Sequence, residues 1–99
     1  MYISVEHVNE DRHYRFGDSE PFECDAETPG EVYKAMMSQY GRCISKMFVD
    51  SVDGKKSKHI GWVFEKRMKY DDSNDTFKCH TWVSLHEKPP TVQIHYMEL

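Results

Sequence analysis

The chain has 99 residues, of which 38% are apolar, 30% are charged and 13% are aromatic, and its formal net charge at pH 7 is −4. This length is that of a single domain, and the aromatic content is typical of a folded chain rather than a disordered one. No apolar run approaches the roughly 18 residues of a membrane span, and the N-terminus shows no signal-peptide pattern. We therefore expect one domain, 1–99, in the cytoplasm.

The three cysteines are Cys24, Cys43 and Cys79, and no two of them form a C-x-x-C pair. An odd number in a chain without a secretion signal predicts reduced, buried thiols rather than disulfides. The histidines also lack the H-x-H and H-E-x-x-H spacings of metal sites. We therefore expect neither a metal nor another cofactor.

One helix is predicted over residues 29–40. Thr28 and Glu31 form a capping box, Pro29 occupies the first helical position, and Gly41 is a common terminator. The apolar positions recur at helical spacing and indicate the face that packs on the core: Val32, Tyr33, Met36, Met37 and Tyr40.

The rest of the chain alternates like β-strands. Turns are indicated by Asp53-Gly54, by the polar loop 71–76 and by the segment 87–90. We expect an antiparallel meander of four strands: 42–52, 55–70, 77–86 and 91–98. The turns set these cross-strand pairs: Arg42 with Glu65, Cys43 with Phe64, Ser45 with Trp62, Met47 with Ile60, Tyr70 with Phe77, Met68 with Cys79, Phe64 with Val83, Trp62 with Leu85, Glu65 with Trp82, and Leu85 with Val92.

The predicted fold class is α+β, with the helix 29–40 packed on one face of the four-stranded meander. A short N-terminal hairpin is expected from residues 2–8 and 12–16, and Phe22 and Cys24 are expected to fill the core before the helix.

Alternation assigns the strand residues to two faces. The face covered by the helix is predicted to carry Ile60, Trp62, Phe64, Met68, Phe77, Val83, Leu85, Val92, Ile94 and Tyr96. The second face is predicted to carry Arg42, Ile44, Phe48, Val63, Glu65, Arg67, His80, Trp82, Ser84, His86, Gln93, His95 and Met97.

Trp82 lies at mid-strand on this second face, for which no covering helix is predicted. An exposed Trp flanked by Arg, His and Met has the composition of a binding hot spot, which favours a small non-catalytic protein-interaction module. The alternatives are that the N-terminal segment folds over this face, or that the predicted strand register is off by one residue. The candidate protein-binding residues are Trp82, Arg67, Glu65, His80, His95 and Met97.

Two other functions stay open. Glu65, His80 and His95 could form the centre of a small acid–base or metal-dependent enzyme, although a flat sheet offers no pocket that excludes water. Residues 41–70 carry eight basic and three acidic groups, a net charge of +5, and could bind nucleic acid. The residues for that minor alternative are Lys55, Lys56 and Lys58.

The segment 59–67 (HIGWVFEKR), followed by 81–86 (TWVSLH) and a Pro-Pro turn, resembles small uncharacterised proteins encoded by phages of actinobacteria. The resemblance covers about residues 59–97. It implies an accessory phage protein, made in the cytoplasm of the bacterial host, that acts by binding a host or phage protein.

Weak self-association is also predicted. An open face holding apolar side chains must be covered, and with no partner present a second copy can cover it, face to face or through the edge of strand 91–98. We expect a weak homodimer that Trp82→Glu converts into a monomer. The apolar side chains concerned are Ile44, Phe48, Val63, Trp82 and Met97.

Overall fold

The computed structural model describes residues 1–50 and 57–86, except for the side chain of Asp50. These residues form seven elements: β1 (Tyr2–Asn9), β2 (Tyr14–Phe16), β3 (Phe22–Glu23), α1 (Pro29–Tyr40), β4 (Arg42–Asp50), β5 (Ser57–Lys69) and β6 (Thr76–His86). The strands make one antiparallel sheet in the order β2-β1-β6-β5-β4, and β3 also pairs with β1. Within the described ranges, no helix has the length and apolar character needed to cross a membrane.

The helix α1 has the predicted bounds, Pro29–Tyr40. The Thr28 hydroxyl accepts a hydrogen bond from the Glu31 amide at 3.3 Å, as in the predicted capping box. The Glu31 carboxylate accepts from the Glu27 amide at 3.1 Å, so the return bond reaches one residue beyond the N-cap. The first of these bonds satisfies an amide that a helix start otherwise leaves free.

The end of α1 and its packing face also follow the sequence. Gly41 has φ 95°, in the region that favours glycine, and its amide donates to the Met37 carbonyl at 3.1 Å. Val32 is fully buried, whereas Met37 is 41% exposed, so the stripe that contacts the core is narrower than predicted. The partly buried members of that stripe are Tyr33, Met36 and Tyr40.

The fold class is α+β, but residues 1–50 and 57–86 form a sheet of six strands and not a four-stranded meander. The edge of β6 predicted to pair with residues 91–98 is occupied by β1, with Val5 opposite Val83. The reason is that β1 places Ile3 (0% exposed) and Val5 (7% exposed) on the covered face, so its burial outweighs proximity along the chain. The segment 91–98 lies outside the described residues.

The outer edge of β1 is covered by the segment that follows it. β2 pairs with one end of β1, which confirms the N-terminal hairpin, and β3 pairs with the other end. Between them, the Ser19 amide donates to the Val5 carbonyl at 2.8 Å, and the Val5 amide donates to the Ser19 hydroxyl at 2.8 Å. Phe22 is 44% exposed, so its predicted place in the core is wrong, whereas Cys24 packs against the core.

The pairing of β4 with β5 has two bulges that sequence analysis did not predict. Arg42 pairs with Glu65 as expected, but an extra residue in β4 then shifts the register, so Ser45 lies opposite Val63. An extra residue in β5 restores the register at Phe48. The extra residue in β4 moves the residues that follow it in that strand to the face opposite the predicted one. The expected pairs of Ser45 with Trp62 and Met47 with Ile60 are therefore replaced by Lys46 with Trp62 and Met47 with Gly61.

The pairing of β5 with β6 is shifted by two residues from the prediction. The turn is tighter than expected, because Lys69 pairs with Thr76 and the Tyr70 amide donates to the Asp75 carbonyl at 3.1 Å. A two-residue shift keeps every side chain on its predicted face. Five expected pairs are therefore absent: Tyr70 with Phe77, Met68 with Cys79, Phe64 with Val83, Trp62 with Leu85, and Glu65 with Trp82. The observed pairs are Met68 with Phe77, Lys66 with Cys79, Phe64 with Thr81, Trp62 with Val83, and Glu65 with His80.

The core lies between α1 and the sheet. The Trp62 ring is 4% exposed and packs 5.5 Å from Tyr33, 5.0 Å from His59 and 6.4 Å from Phe64, between ring centroids. Burial raises the pKa of the Cys79 thiol, which keeps it protonated and unreactive. All three cysteines are free. The cluster of buried residues comprises Ile3, Val5, Val32, Trp62, Phe64 and Val83.

His7 links the sheet to α1 on this covered face. Its Nδ1 lies 2.9 Å from the Thr81 hydroxyl, and its ring centroid lies 5.5 Å from that of Phe16 and 5.2 Å from that of Tyr40. Burial lowers the pKa of His7, and the nearby charge of Asp18 opposes that change. The native packing therefore favours the neutral imidazole.

Acidification is expected to destabilise the protein through His7. Because the folded state disfavours its protonation, the unfolded state binds more protons. The stability due to the neutral ring is present above the ordinary pKa of about 6.5 and is lost as the pH falls through the lower, folded-state value. Urea denaturation near pH 7.5 and near pH 5 measures this loss. The decrease in the free energy of unfolding between the two pH values should be smaller for His7→Asn than for wild type.

His13→Asn is the control for this experiment. His13 is exposed and has φ 55°, a backbone conformation that Asn also adopts. We expect its loss of stability on acidification to equal that of the wild type. An equal loss in His7→Asn and wild type would contradict the role of His7.

Candidate protein-binding face

The sheet face opposite α1 is here called the helix-free face. Five strands contribute to it, and their register brings distant parts of the sequence together. Its described members include Ser4, Glu6 and Val8 of β1, Arg15 of β2, Arg42 and Met47 of β4, Val63 and Glu65 of β5, and His80, Trp82 and Ser84 of β6.

Trp82 is the central side chain of the helix-free face. It lies on β6, the middle strand of the sheet, between Glu6 of β1 and Val63 of β5. It is 39% exposed. The N-terminal strand extends the sheet beside Trp82 instead of folding over it, so this part of the chain does not cover the ring.

The apolar surface around Trp82 is smaller than predicted. Val63 is only 3% exposed, which excludes it from the open surface that sequence analysis assigned to it. The second bulge places the Phe48 ring 5.5 Å from His59, whose ring packs edge-on against the core residue Trp62. Phe48 therefore does not belong to the helix-free face, to which it was predicted to belong, whereas Met47 does.

A row of paired charges crosses the helix-free face next to Trp82. The imidazole of His80 lies between two carboxylates, with Nδ1 3.0 Å from Glu10 and Nε2 3.0 Å from Glu65. Glu65 also accepts a hydrogen bond from the Arg42 guanidinium at 3.0 Å. The hydrogen bonds from Arg42 and then from His80 lower the pKa of Glu65, so this carboxylate is charged at neutral pH.

A second group of charges lies on the other side of Trp82. The Arg15 guanidinium is 2.6 Å from the Glu6 carboxylate and 3.9 Å from that of Asp18. Because Glu6 is the direct neighbour of Trp82 on β1, this pair fixes one wall beside the indole. The ring is thus flanked on both sides by charges that already have partners in the same chain.

Two concave regions adjoin Trp82. The first is a depression of about 220 Å³ lined by Ser4, Val5, Glu6, Asp18, Ser19, Met47, Trp82 and Ser84. The second is a groove of about 490 Å³ lined by Glu6, Val8, Glu10, His13, Tyr14, Arg15 and Trp82. The exposed ring therefore stands between two hollows of the same face.

The structure brings together only some of the predicted site residues. Glu65 and His80 are in contact near Trp82, but Glu65 lies opposite His80 and not opposite Trp82 as predicted. Arg67 lies opposite Lys78 and donates to Thr76 at 3.5 Å, two positions beyond Glu65 along β5. The predicted residues outside the described ranges are His95, Met97, Lys55 and Lys56. Lys58 is exposed near the start of β5.

Sequence analysis missed Glu6, Glu10, Arg15 and Met47 as parts of this face. The first three belong to the N-terminal hairpin, whose pairing with β6 has no signal in the turns. The one available signal was the alternation of Ile3 and Val5 with polar neighbours, which predicts a strand but not its partner. Met47 was missed because bulges leave no clear sequence pattern here.

Three features of the described residues bear on acid–base or metal chemistry at this face. No group of three His, Cys, Asp or Glu side chains among residues 1–50 and 57–86 could hold a metal ion. Both nitrogens of His80 already face carboxylates, so neither is open to a substrate proton. The groove beside Trp82 is broad and shallow, unlike the enclosed sites in which acid–base catalysis excludes water.

Comparisons with models of known families, with curated proteins and with solved structures give no match for this chain. A functional assignment therefore depends on the geometry of the helix-free face.

Proposed function

We propose that this protein is a small non-catalytic interaction module that binds another protein through the helix-free face, with Trp82 as the anchor. The observation that carries the proposal is the 39% exposure of a tryptophan at the centre of a six-stranded sheet. Large aromatic residues dominate the binding energy of protein interfaces, and they act best at the centre of a patch.

The surroundings of Trp82 support this proposal. Each charged group next to the ring is held by a partner in the same chain, as in the pairs Glu6 with Arg15 and Glu65 with Arg42. Burying such a pair leaves no unpaired charge, which is the main cost of covering a charged surface. Rigid, pre-paired side chains also lose little conformational entropy on binding.

The resemblance of residues 59–97 to actinobacterial phage proteins supplies a context for the partner. We propose an accessory phage protein that acts in the cytoplasm of the host and binds a host or phage protein. This context rests on the resemblance alone and is independent of the geometry of the face.

The alternative function with a specific observation behind it is acid–base chemistry at Glu65 and His80, which are 3.0 Å apart. His95, the third predicted member, lies outside the described residues. The contact of His80 with Glu10 occupies the remaining ring nitrogen, so we rank this alternative second.

Nucleic-acid binding is the third alternative, and we expect none at physiological salt. The chain carries a net charge of −4, and the paired arginines of the helix-free face are not available for phosphates. Fluorescence anisotropy measures the affinity for labelled duplex and single-stranded DNA, at salt concentrations from about 50 to 200 mM. A submicromolar complex that weakens steeply with salt would contradict the prediction and favour the hairpin lysines.

Affinity capture tests the proposed function. The wild type and Trp82→Ala are immobilised and exposed to lysate of an actinobacterial host, and the bound proteins are identified. Phe22→Ala is the matched control, because Phe22 is an aromatic residue of similar exposure (44%) on β3. We expect a protein retained by wild type and Phe22→Ala but not by Trp82→Ala. Retention that is equal in all three would contradict the proposal.

A further inference from the structure

The depression beside Trp82 and the Trp82 ring form a projection and a hollow on one surface. The hollow of about 220 Å³ exists because the side chains around it are small, Ser4 and Ser84 being direct neighbours across β1 and β6. Gly61 of β5 lies opposite Ser84 and has no side chain. Met47 of β4, which lies opposite Gly61, therefore forms the far wall of the hollow.

We infer that the helix-free face binds a second copy of this chain about a twofold axis, with the Trp82 ring of each copy in the depression of the other. This inference rests on the proposed function, because it assigns the same face and the same Trp82 anchor to a second copy of the chain. A twofold interface brings the same patch of both copies together, so the patch must complement itself. A projecting ring next to a hollow meets that requirement, because each copy supplies one of each.

The size of the hollow fits this arrangement. A volume of about 220 Å³ corresponds to about seven waters, at roughly 30 Å³ for each water in the liquid. That is enough space for a large aromatic side chain. The lining combines serine hydroxyls and Met47 with the carboxylates of Glu6 and Asp18, which share the Arg15 guanidinium at 2.6 and 3.9 Å. The ring would therefore displace water next to carboxylates that keep a cationic partner.

Charge opposes the pairing in part, which is one reason to expect a weak complex. Arg42 is paired with Glu65, but Arg15 is shared between Glu6 and Asp18, so each copy brings one unbalanced carboxylate to the hollow. Four further acidic residues lie on and around β3. These exposed residues are Glu20, Glu23, Asp25 and Glu27.

The expected affinity is low. Each Trp82 ring can bury about 150–250 Å², and two rings supply only part of the roughly 1,600 Å² of a standard interface. We therefore expect a dimer with a micromolar dissociation constant. Because both copies lose the ring at once, Trp82→Ala should weaken association by more than about 100-fold.

Sedimentation equilibrium with two complementary variants tests the inference. The protein is measured near 100 μM, a concentration at which a micromolar complex is mostly assembled. Trp82→Ala removes the projection and keeps the hollow. Ser84→Phe keeps the projection and fills the hollow. We expect the wild type to be a dimer and each variant alone to be a monomer. An equimolar mixture of the two variants should regain a heterodimer, because one intact ring meets one intact hollow.

Three outcomes would overturn the inference. These are a monomeric wild type, a dimer that persists in Trp82→Ala, and a mixture that stays monomeric although both variants are folded by circular dichroism. If Ser84→Phe does not fold, Ser4→Phe fills the same hollow from β1. The proposed function fails on a different result, since equal capture of lysate proteins by wild type and Trp82→Ala contradicts it whatever the oligomeric state.

Discussion

Trp62→Ala is expected to lower the free energy of unfolding by about 3–5 kcal/mol. Trp62 is 4% exposed and its ring contacts three other aromatic rings, so its removal leaves a cavity that the sheet and α1 cannot close. Because native domains have a free energy of unfolding of only about 5–15 kcal/mol, this loss is a large share of the total stability. Urea denaturation followed by circular dichroism measures the loss.

Trp82→Ala is the comparison for this experiment. The same side chain is removed from the neighbouring strand, but Trp82 is 39% exposed and no helix packs on it. We expect a much smaller loss, measured at a concentration low enough to exclude self-association. Equally large losses in the two variants would show that Trp82 is an integral part of the fold, and its assignment as a binding residue would fail.

Local sequence signals predicted the helix and the faces of β5 and β6. The capping residues and Gly41 define α1 without reference to the rest of the fold, because the hydrogen bonds they make are within four residues. The two-residue error between β5 and β6 did not disturb the faces, because side chains alternate with a period of two. Trp62 and Trp82 were therefore assigned correctly to opposite sides of the sheet.

Non-local pairing could not be predicted in the same way. β1 and β6 are more than 60 residues apart in the chain, and no turn connects them, so only burial determines that they are neighbours. The contact of Glu10 with His80, and the position of the Glu6–Arg15 pair beside Trp82, depend on this arrangement. As a result, sequence analysis found Glu65 and His80, which share a hairpin, but missed Glu6, Glu10 and Arg15.

The bulges between β4 and β5 were the second feature that could not be predicted from the sequence. Each inserts one residue, and together they cancel, so the pairs at both ends of the hairpin agree with the turn at Asp53-Gly54. The extra residue in β4 moves the later side chains of that strand to the opposite face. This shift removed Phe48 from the predicted binding surface and supplied Met47, which lines the depression beside Trp82.

Gly61→Ala should be among the most destabilising single substitutions at this depression, with an expected loss of about 3 kcal/mol or more. Gly61 is a buried residue of β5, where it lies opposite Met47 of β4 and Ser84 of β6. A Cβ atom there would overlap the carbonyl oxygen of Val83 and would lie 3.0 Å from its carbonyl carbon and 3.1 Å from the Ser84 Cα. These are backbone atoms of the central strand, so no side-chain rotation can relieve the overlap and β6 itself must move.

Gly30→Ala is the matched control, since it makes the same chemical change in the first turn of α1. Nothing lies within 4 Å of a Cβ at Gly30, and alanine favours helix, so this variant should be as stable as wild type or more stable by up to about 1 kcal/mol. Urea denaturation of both variants decides the point. If Gly61→Ala were as stable as wild type, β5 and β6 could not approach as closely as described here. The row of small residues that forms the hollow beside Trp82 would then lose its structural basis.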